Sequence, residues 1–160
     1  MRVHFIDTSV FTNILDVPNR NQQRDSIIKE FKRIADSEQD LLILPFATII
    51  ETGNHIAHNG DGQQRRKSAE KFRNVLLKTI RNEAPWLYYG RQLTAEDLEE
   101  ICKGFPDAAM REEGFGDLSI IRAYECYKNE TPGIEEIRIW SIDKHLSSYS
   151  ERITTLPGRN

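Results

Sequence analysis

Val3-His4-Phe5-Ile6-Asp7-Thr8-Ser9-Val10-Phe11-Thr12-Asn13-Ile14-Leu15 joins a strand, a turn and a helix with nothing between them. Val3 to Ile6 is a short apolar run of strand length that stops at an acid. Thr8 and Ser9 then supply side chains able to cap a helix that runs through Leu15. A strand that ends on Asp and feeds a helix directly is the opening unit of an α/β sheet, and it leaves the acid at the carboxyl edge of its strand.

The same pattern recurs downstream. Residues 16 to 24 are polar, contain one proline and read as loop. From Asp25 the apolar positions Ile27, Ile28, Phe31, Ile34 and Ala35 return at helical spacing. Leu41 to Leu44 is a continuous apolar run of the kind a buried parallel strand shows, and Pro45 stands where a helix can begin. That helix carries Glu51 and runs to about His58. Asn59-Gly60-Asp61-Gly62 breaks the chain, and Arg65 to Glu83 forms a long amphipathic helix with Ala69, Phe72, Leu76 and Ile80 along one face. Between Ala84 and Gly114 the signal is thinner: Thr94 with Asp97 marks a helix start, Pro85 and Pro106 punctuate the ends, and the stretch reads as an insertion. Asp117 to Lys128 is helical, Ile137 to Ile142 is a buried strand ending at Asp143, and a last strand is expected near Ile153 to Leu156. Strands alternating with helices imply a parallel sheet with right-handed crossovers. No internal repeat or low-complexity segment interrupts it.

At 160 residues, 38% apolar and 29% charged, the chain suits one domain spanning 1–160 with a limited core and a well-hydrated surface. No apolar run approaches the roughly 20 residues of a membrane-spanning helix, so no membrane role and a cytoplasmic location are expected. Cys102 and Cys126 are too few for a structural zinc site and read as reduced, packed residues. A net charge of −3 argues against a broad electrostatic nucleic-acid binder. It does not argue against a metal-dependent nuclease, whose acidic residues are neutralised by bound cations.

Asp7 and Asp143 each follow a strand, so a parallel sheet puts both at one edge, where a crevice opens at the switch point. Glu51 lies within the helix after the second strand and Asp117 opens a helix, so both carboxylates can reach back over that edge. Two carboxylates about 5 Å apart repel by roughly 3 kcal/mol at an effective dielectric of about 20. Without a cation some must take up protons. With Mg²⁺ or Mn²⁺, hard ions that prefer oxygen ligands, all can stay ionised.

Phe5-Ile6-Asp7-Thr8-Ser9, Pro45 to Glu51, Gly116-Asp117 with Ile120 and Ala123, and Ser141-Ile142-Asp143 together resemble the PIN domain, over nearly the whole chain. The resemblance implies a three-layer α/β/α fold around a central parallel sheet of four or five strands. It implies a Mg²⁺- or Mn²⁺-dependent endoribonuclease leaving 5′-phosphate and 3′-hydroxyl ends, of the kind that includes the VapC toxins of toxin–antitoxin pairs. Asp7, Glu51, Asp117 and Asp143 then take the catalytic, metal-holding acidic positions, and Ser9 takes the hydroxyl position beside the first. RNA, an antitoxin protein and a second copy in a homodimer are the implied partners. The chain departs from the typical toxin by extra residues around 59 to 68 and 85 to 113, and by His145-Leu146 where an aromatic often follows the fourth acid.

Blander readings stand beside these. Any one of the acids alone is well explained as a helix cap, Asp143 above all, and Thr8 and Ser9 equally as caps. Glu51, His55 and His58 share a helical face, but there is no His-Glu-x-x-His motif, and histidines near a helix end commonly meet its last carbonyls. Arg65, Arg66 and Lys67 sit at a helix start, where positive charge is mildly unfavourable. They are read either as an RNA-backbone contact or as a solvated run balanced by Glu70. Trp86, Tyr88 and Tyr89 can stack bases, or else form a packed cluster or dimer surface. The alternative to an enzyme is a non-catalytic PIN-like protein that binds RNA or a protein. A phosphatase of the haloacid dehalogenase type would need a second Asp two residues after Asp7, where Ser9 stands. A receiver domain would need an acidic pair at the end of the first strand.

Overall fold

Strand β1 (Arg2–Ile6) has buried side chains on both faces, Val3 and Phe5 on one and His4 and Ile6 on the other, as expected of a central strand in a parallel sheet covered on both sides. The computed structural model describes residues 1–153. Helix α1 (Thr8–Ile14) follows β1 and is capped by Asp7, whose side chain accepts the Ser9 N–H. The cap is thus Asp7 and not Thr8 or Ser9, whose hydroxyls are engaged elsewhere. Then come α2 (Arg24–Ala35), β2 (Asp40–Pro45), α3 (Phe46–Ala57) and α4 (Gly62–Ile80). The second half holds β3 (Leu87–Tyr89), α5 (Ala95–Met110), α6 (Phe115–Glu130), β4 (Glu136–Trp140), the single-turn α7 (Lys144–Ser147) and β5 (Ser150–Arg152).

The strands form one five-stranded sheet in the order β3-β2-β1-β4-β5. The first four are mutually parallel, and β5 runs antiparallel to β4. Among the described residues the last strand, β5, covers 150–152 and turns the opposite way, and the strand expected near 153–156 falls almost wholly outside them. Residues 154–156 lie outside the described part of the chain. Successive strands move away from β1 in one direction through β2 to β3, and the chain then returns to place β4 on the other side of β1. The switch point falls between β1 and β4, so a crevice opens above their carboxyl ends.

Two cores fill the two faces. One contains Ile6, Phe11, Ile34, Leu44, Ile56 and Trp86; the other contains Phe5, Ile43, Ile120, Tyr124, Ile137 and Leu146. Together with the sheet they make the three-layer α/β/α sandwich, with α3 packed against α1, α4 and α6. Among the described residues no helix is long and apolar enough to cross a membrane.

The segment 84–114, read as an insertion, is built into the sandwich. It supplies the edge strand β3, paired in parallel with β2 from Ile43↔Leu87 onward, and helix α5, which packs on α6. Pro106 sits inside α5 and does not end it. A proline there removes one helical hydrogen bond, and the carbonyl it frees belongs to exposed Cys102, where water can reach it. The start of α5 is as expected. Thr94 Oγ accepts the Asp97 N–H at 3.1 Å, and Asp97 accepts the Thr94 N–H at 2.9 Å. Asp97 is 1% exposed and also binds Arg91 and Arg122, tying the start of α5 to α6. Trp86 is a core residue, its N–H donating to Thr79 Oγ at 2.9 Å and its ring edge-on to Phe11. Tyr89 packs edge-on to Phe5, and Tyr88 remains exposed.

Candidate metal centre

Asp7 is held at the mouth of the switch point by the sheet itself, its backbone N–H donating to Trp140 O of β4 at 3.1 Å. Its side chain is buried and one oxygen is saturated. Oδ2 accepts from Ser9 Oγ at 2.6 Å, Ser141 Oγ at 2.7 Å and Ser9 N at 3.2 Å. Ser9 Oγ also accepts the Ile142 N–H. One hydroxyl thus stitches the β1 and β4 loops together, and Oδ1 is left for a ligand.

Glu51 is presented from α3. Its Oε2 accepts from Thr8 Oγ at 2.6 Å, which fixes the long side chain against the first acid. Burial pushes its pKa up, opposed by the Thr8 hydrogen bond and reinforced by the charges of Asp117 and Asp7. Asp117 stands in the first turn of α6, where Oδ2 accepts the Gly114 N–H at 2.9 Å. Its pKa is also raised, chiefly by burial, against that hydrogen bond and with the help of Asp7, Asp143 and Glu113. One carboxylate oxygen from each of Asp7, Glu51 and Asp117 lies within 4.8 Å of the others. That is close to the separation at which like charges cost several kcal/mol, and it suits three oxygens converging on one divalent ion.

Asp143, the fourth expected member, lines the same crevice of about 750 Å³ but stands outside that trio. Its Oδ1 caps α7, accepting from His145 N at 2.8 Å and Leu146 N at 3.0 Å. The capping role anticipated for it is present, and its charge still reaches Asp117. Arg65 and Arg66 line a separate recess beside Gly53 and Phe72. Arg65 is bonded to Asn59 O and Arg66 to Glu70. Ser9 does line the crevice. His58 Nδ1 lies 2.7 Å from Asn54 O, its own helix's end, and His55 alone of the two histidines lines the crevice.

Three contributors escape the sequence. Ser141 and Thr8 hold Asp7 and Glu51, yet nothing in spacing tells which hydroxyl meets which acid. Arg20 enters the crevice from the loop between α1 and α2, a stretch with no periodicity to place it. The Gly116-Asp117 pair was visible, but the need for its glycine was not. A Cβ on Gly116 would lie 1.9 Å from Glu51 Oε1 and 2.5 Å from its Cδ. Gly116→Ala must therefore drive the Glu51 carboxylate off Thr8 and out of the trio. Metal affinity is expected to fall about 10- to 100-fold, as for loss of a supporting contact, while thermal stability holds or rises because Ala favours a helix over Gly. A metal titration paired with a thermal melt checks both.

The sandwich, its strand order and its acid-lined switch point define the class: this is a PIN-type fold, as the sequence resemblance implies. Among solved structures the chain is similar to Mycobacterium tuberculosis VapC20, a Sarcin-Ricin loop cleaving toxin. The TM-score is 0.59 and the sequence identity 14%, over 96% of this chain and 99% of that one. No protein-family model matches the chain and no curated protein does. At that identity the likeness establishes the fold.

Proposed function

We propose that this protein is a metal-dependent endoribonuclease, the toxin of a toxin–antitoxin pair. The observation that carries the proposal is the trio of Asp7, Glu51 and Asp117 oxygens within 4.8 Å, each carboxylate holding one oxygen in a fixed hydrogen bond and offering the other. The fold shared with an RNA-cleaving toxin supports RNA as the substrate. The trio would hold Mg²⁺ or Mn²⁺, and when bound the ion would polarise the scissile phosphate and lower the pKa of water. Ser9, Ser141 and Thr8 keep the carboxylates aimed. Asp143, with Oδ1 spent on its cap, stands at the rim where its other oxygen can receive a proton or orient water. An RNA strand would enter the crevice of about 750 Å³, and an antitoxin peptide would cover it. Beside it, exposed Phe46, Ile50, Leu93 and Phe115 flank an apolar recess that suits the expected homodimer.

The test is cleavage of a panel of structured and single-stranded RNAs. Internal cuts are expected with Mn²⁺ or Mg²⁺, none in EDTA, and activity should return on adding the ion. Cleavage that persists in EDTA, or no cleavage of any RNA with either ion, would overturn the assignment.

A further inference from the structure

The walls of the crevice differ in charge. Asp7, Glu51, Glu112, Asp117 and Asp143 supply its acids, while the α1–α2 loop and the C-terminal half of α3 supply Arg20, Asn54 and His55. Arg20 is exposed, and among the described residues its guanidinium has no carboxylate partner. Its charge is felt at His55, whose pKa is lowered by burial first and by Arg20 next, and among the described residues it forms no ion pair with Glu51 or Asp117. Arg20 therefore lies in the crevice without neutralising the acids.

The loop that carries Arg20 is a fixed turn. Val17 is buried and its N–H donates to Thr12 O at 2.9 Å, and the Arg20 N–H donates to Val17 O at 3.0 Å. Asp16 and Asn19 adopt left-handed backbone at φ 58° and 66°, a conformation Asp and Asn tolerate better than most residues. Asn13 Oδ1 accepts the Gln23 N–H, and Arg24 binds the carbonyls of Asn13 and Ile14. The next cation in sequence is thus consumed in holding the loop, and Arg20 is held out by it.

We propose that Arg20 is the anchor for a backbone phosphate of the RNA strand flanking the scissile bond. This rests on the nuclease reading above. It assigns a basic contact within the crevice to a protein of net charge −3. A guanidinium suits the task because its planar fork meets phosphate oxygens in pairs.

The experiment measures binding of a labelled single-stranded RNA of about a dozen nucleotides to Asp7→Asn protein, which cannot turn it over, across a salt series with Mg²⁺. Adding Arg20→Ala is expected to weaken binding roughly tenfold. It should also flatten the plot of log affinity against log salt by about 0.7, one phosphate contact on a single strand. Arg20→Lys should restore the salt slope, and Arg152→Ala, at the opposite edge of the sheet and paired with Glu136, should change neither quantity. In otherwise wild-type protein Arg20→Ala should raise KM with kcat within about threefold, the signature of lost uniform binding. Unchanged affinity and salt slope on losing Arg20, with cleavage still abolished by Asp7→Asn, would overturn the anchor and leave the nuclease reading standing. Wild-type protein that fails to cleave would overturn the nuclease reading, while the binding series still decides Arg20.

Discussion

Replacing Asp7 with Asn is expected to lower kcat/KM for RNA about a thousandfold or more while leaving the fold intact. The Oδ2 position of Asp7 is surrounded by three donors, Ser9 N, Ser9 Oγ and Ser141 Oγ. An asparagine keeps its oxygen there, because the Ser9 N–H can only donate and would meet its NH₂ head on. The amide nitrogen is then forced into the position where Asp7 offers Oδ1 to a cation. A neutral donor replaces a charged acceptor at the centre of the trio, and no rotation of the side chain restores it. Loss of one carboxylate ligand removes several kcal/mol of transition-state stabilisation, and about 4 kcal/mol is a factor of about a thousand. The size of the side chain is unchanged, so the melting temperature should stay close to that of wild type. A single-turnover cleavage assay with a thermal melt reads both.

Asp97→Ala is the change expected to cost most stability, about 3 kcal/mol. Asp97 accepts from Arg91, Arg122 and the Thr94 N–H at once and is 1% exposed. Its removal takes away a helix cap and strands two guanidinium groups against a buried vacancy. For a chain of this length that is a fall of roughly 10 °C in melting temperature. The same partners hold the Asp97 carboxyl well below the ordinary carboxylate range, the Thr94 N–H first and Arg91 next. A depressed pKa means that stability from this group is present at neutral pH and is lost only as pH falls below about 3.9, the unfolded aspartate value, toward the lower native one. The gap between wild type and variant should therefore be full at pH 7 and shrink in strong acid. Activity per folded molecule should be little altered, since α5 does not line the acidic crevice.

How far the sequence reaches depends on what each element buries. The first strand and helix could be read from Val3 to Leu15 because the apolar run is continuous and ends at an acid. The same holds for β2 and β4, whose buried faces are rich in Ile and Leu. Strand β3 is three residues long with two of them exposed; its place in the sheet comes from pairing with β2, a long-range contact that local pattern does not encode. Helix α5 could be entered at Thr94 but not followed, because Pro106 signals an end that the neighbouring α6 overrides. Nor does local pattern reveal the role of His4, which is buried between Asp40 Oδ1 at 2.6 Å and Arg138 Nε at 2.7 Å, a network assembled from three strands.

For the candidate site, the order of the acids was legible and their distances were not. Asp7, Glu51 and Asp117 meet because the switch point brings the end of β1, the middle of α3 and the start of α6 together. Asp143 is held back by the two N–H groups of α7 that it caps. Arg20 had no legible role, since its position depends on a turn fixed by Asn13 and Arg24.

Whether three carboxylates share one hard cation is tested most directly by a Mn²⁺ titration of the purified protein at pH 5 and at pH 7.5. Burial raises the pKa of both Glu51 and Asp117, so protons compete with the ion at the lower pH. The prediction is saturable binding at pH 7.5 that weakens at pH 5 and is lost in Asp7→Asn. Equal, weak binding by wild type and Asp7→Asn at both pH values, or none, would contradict it.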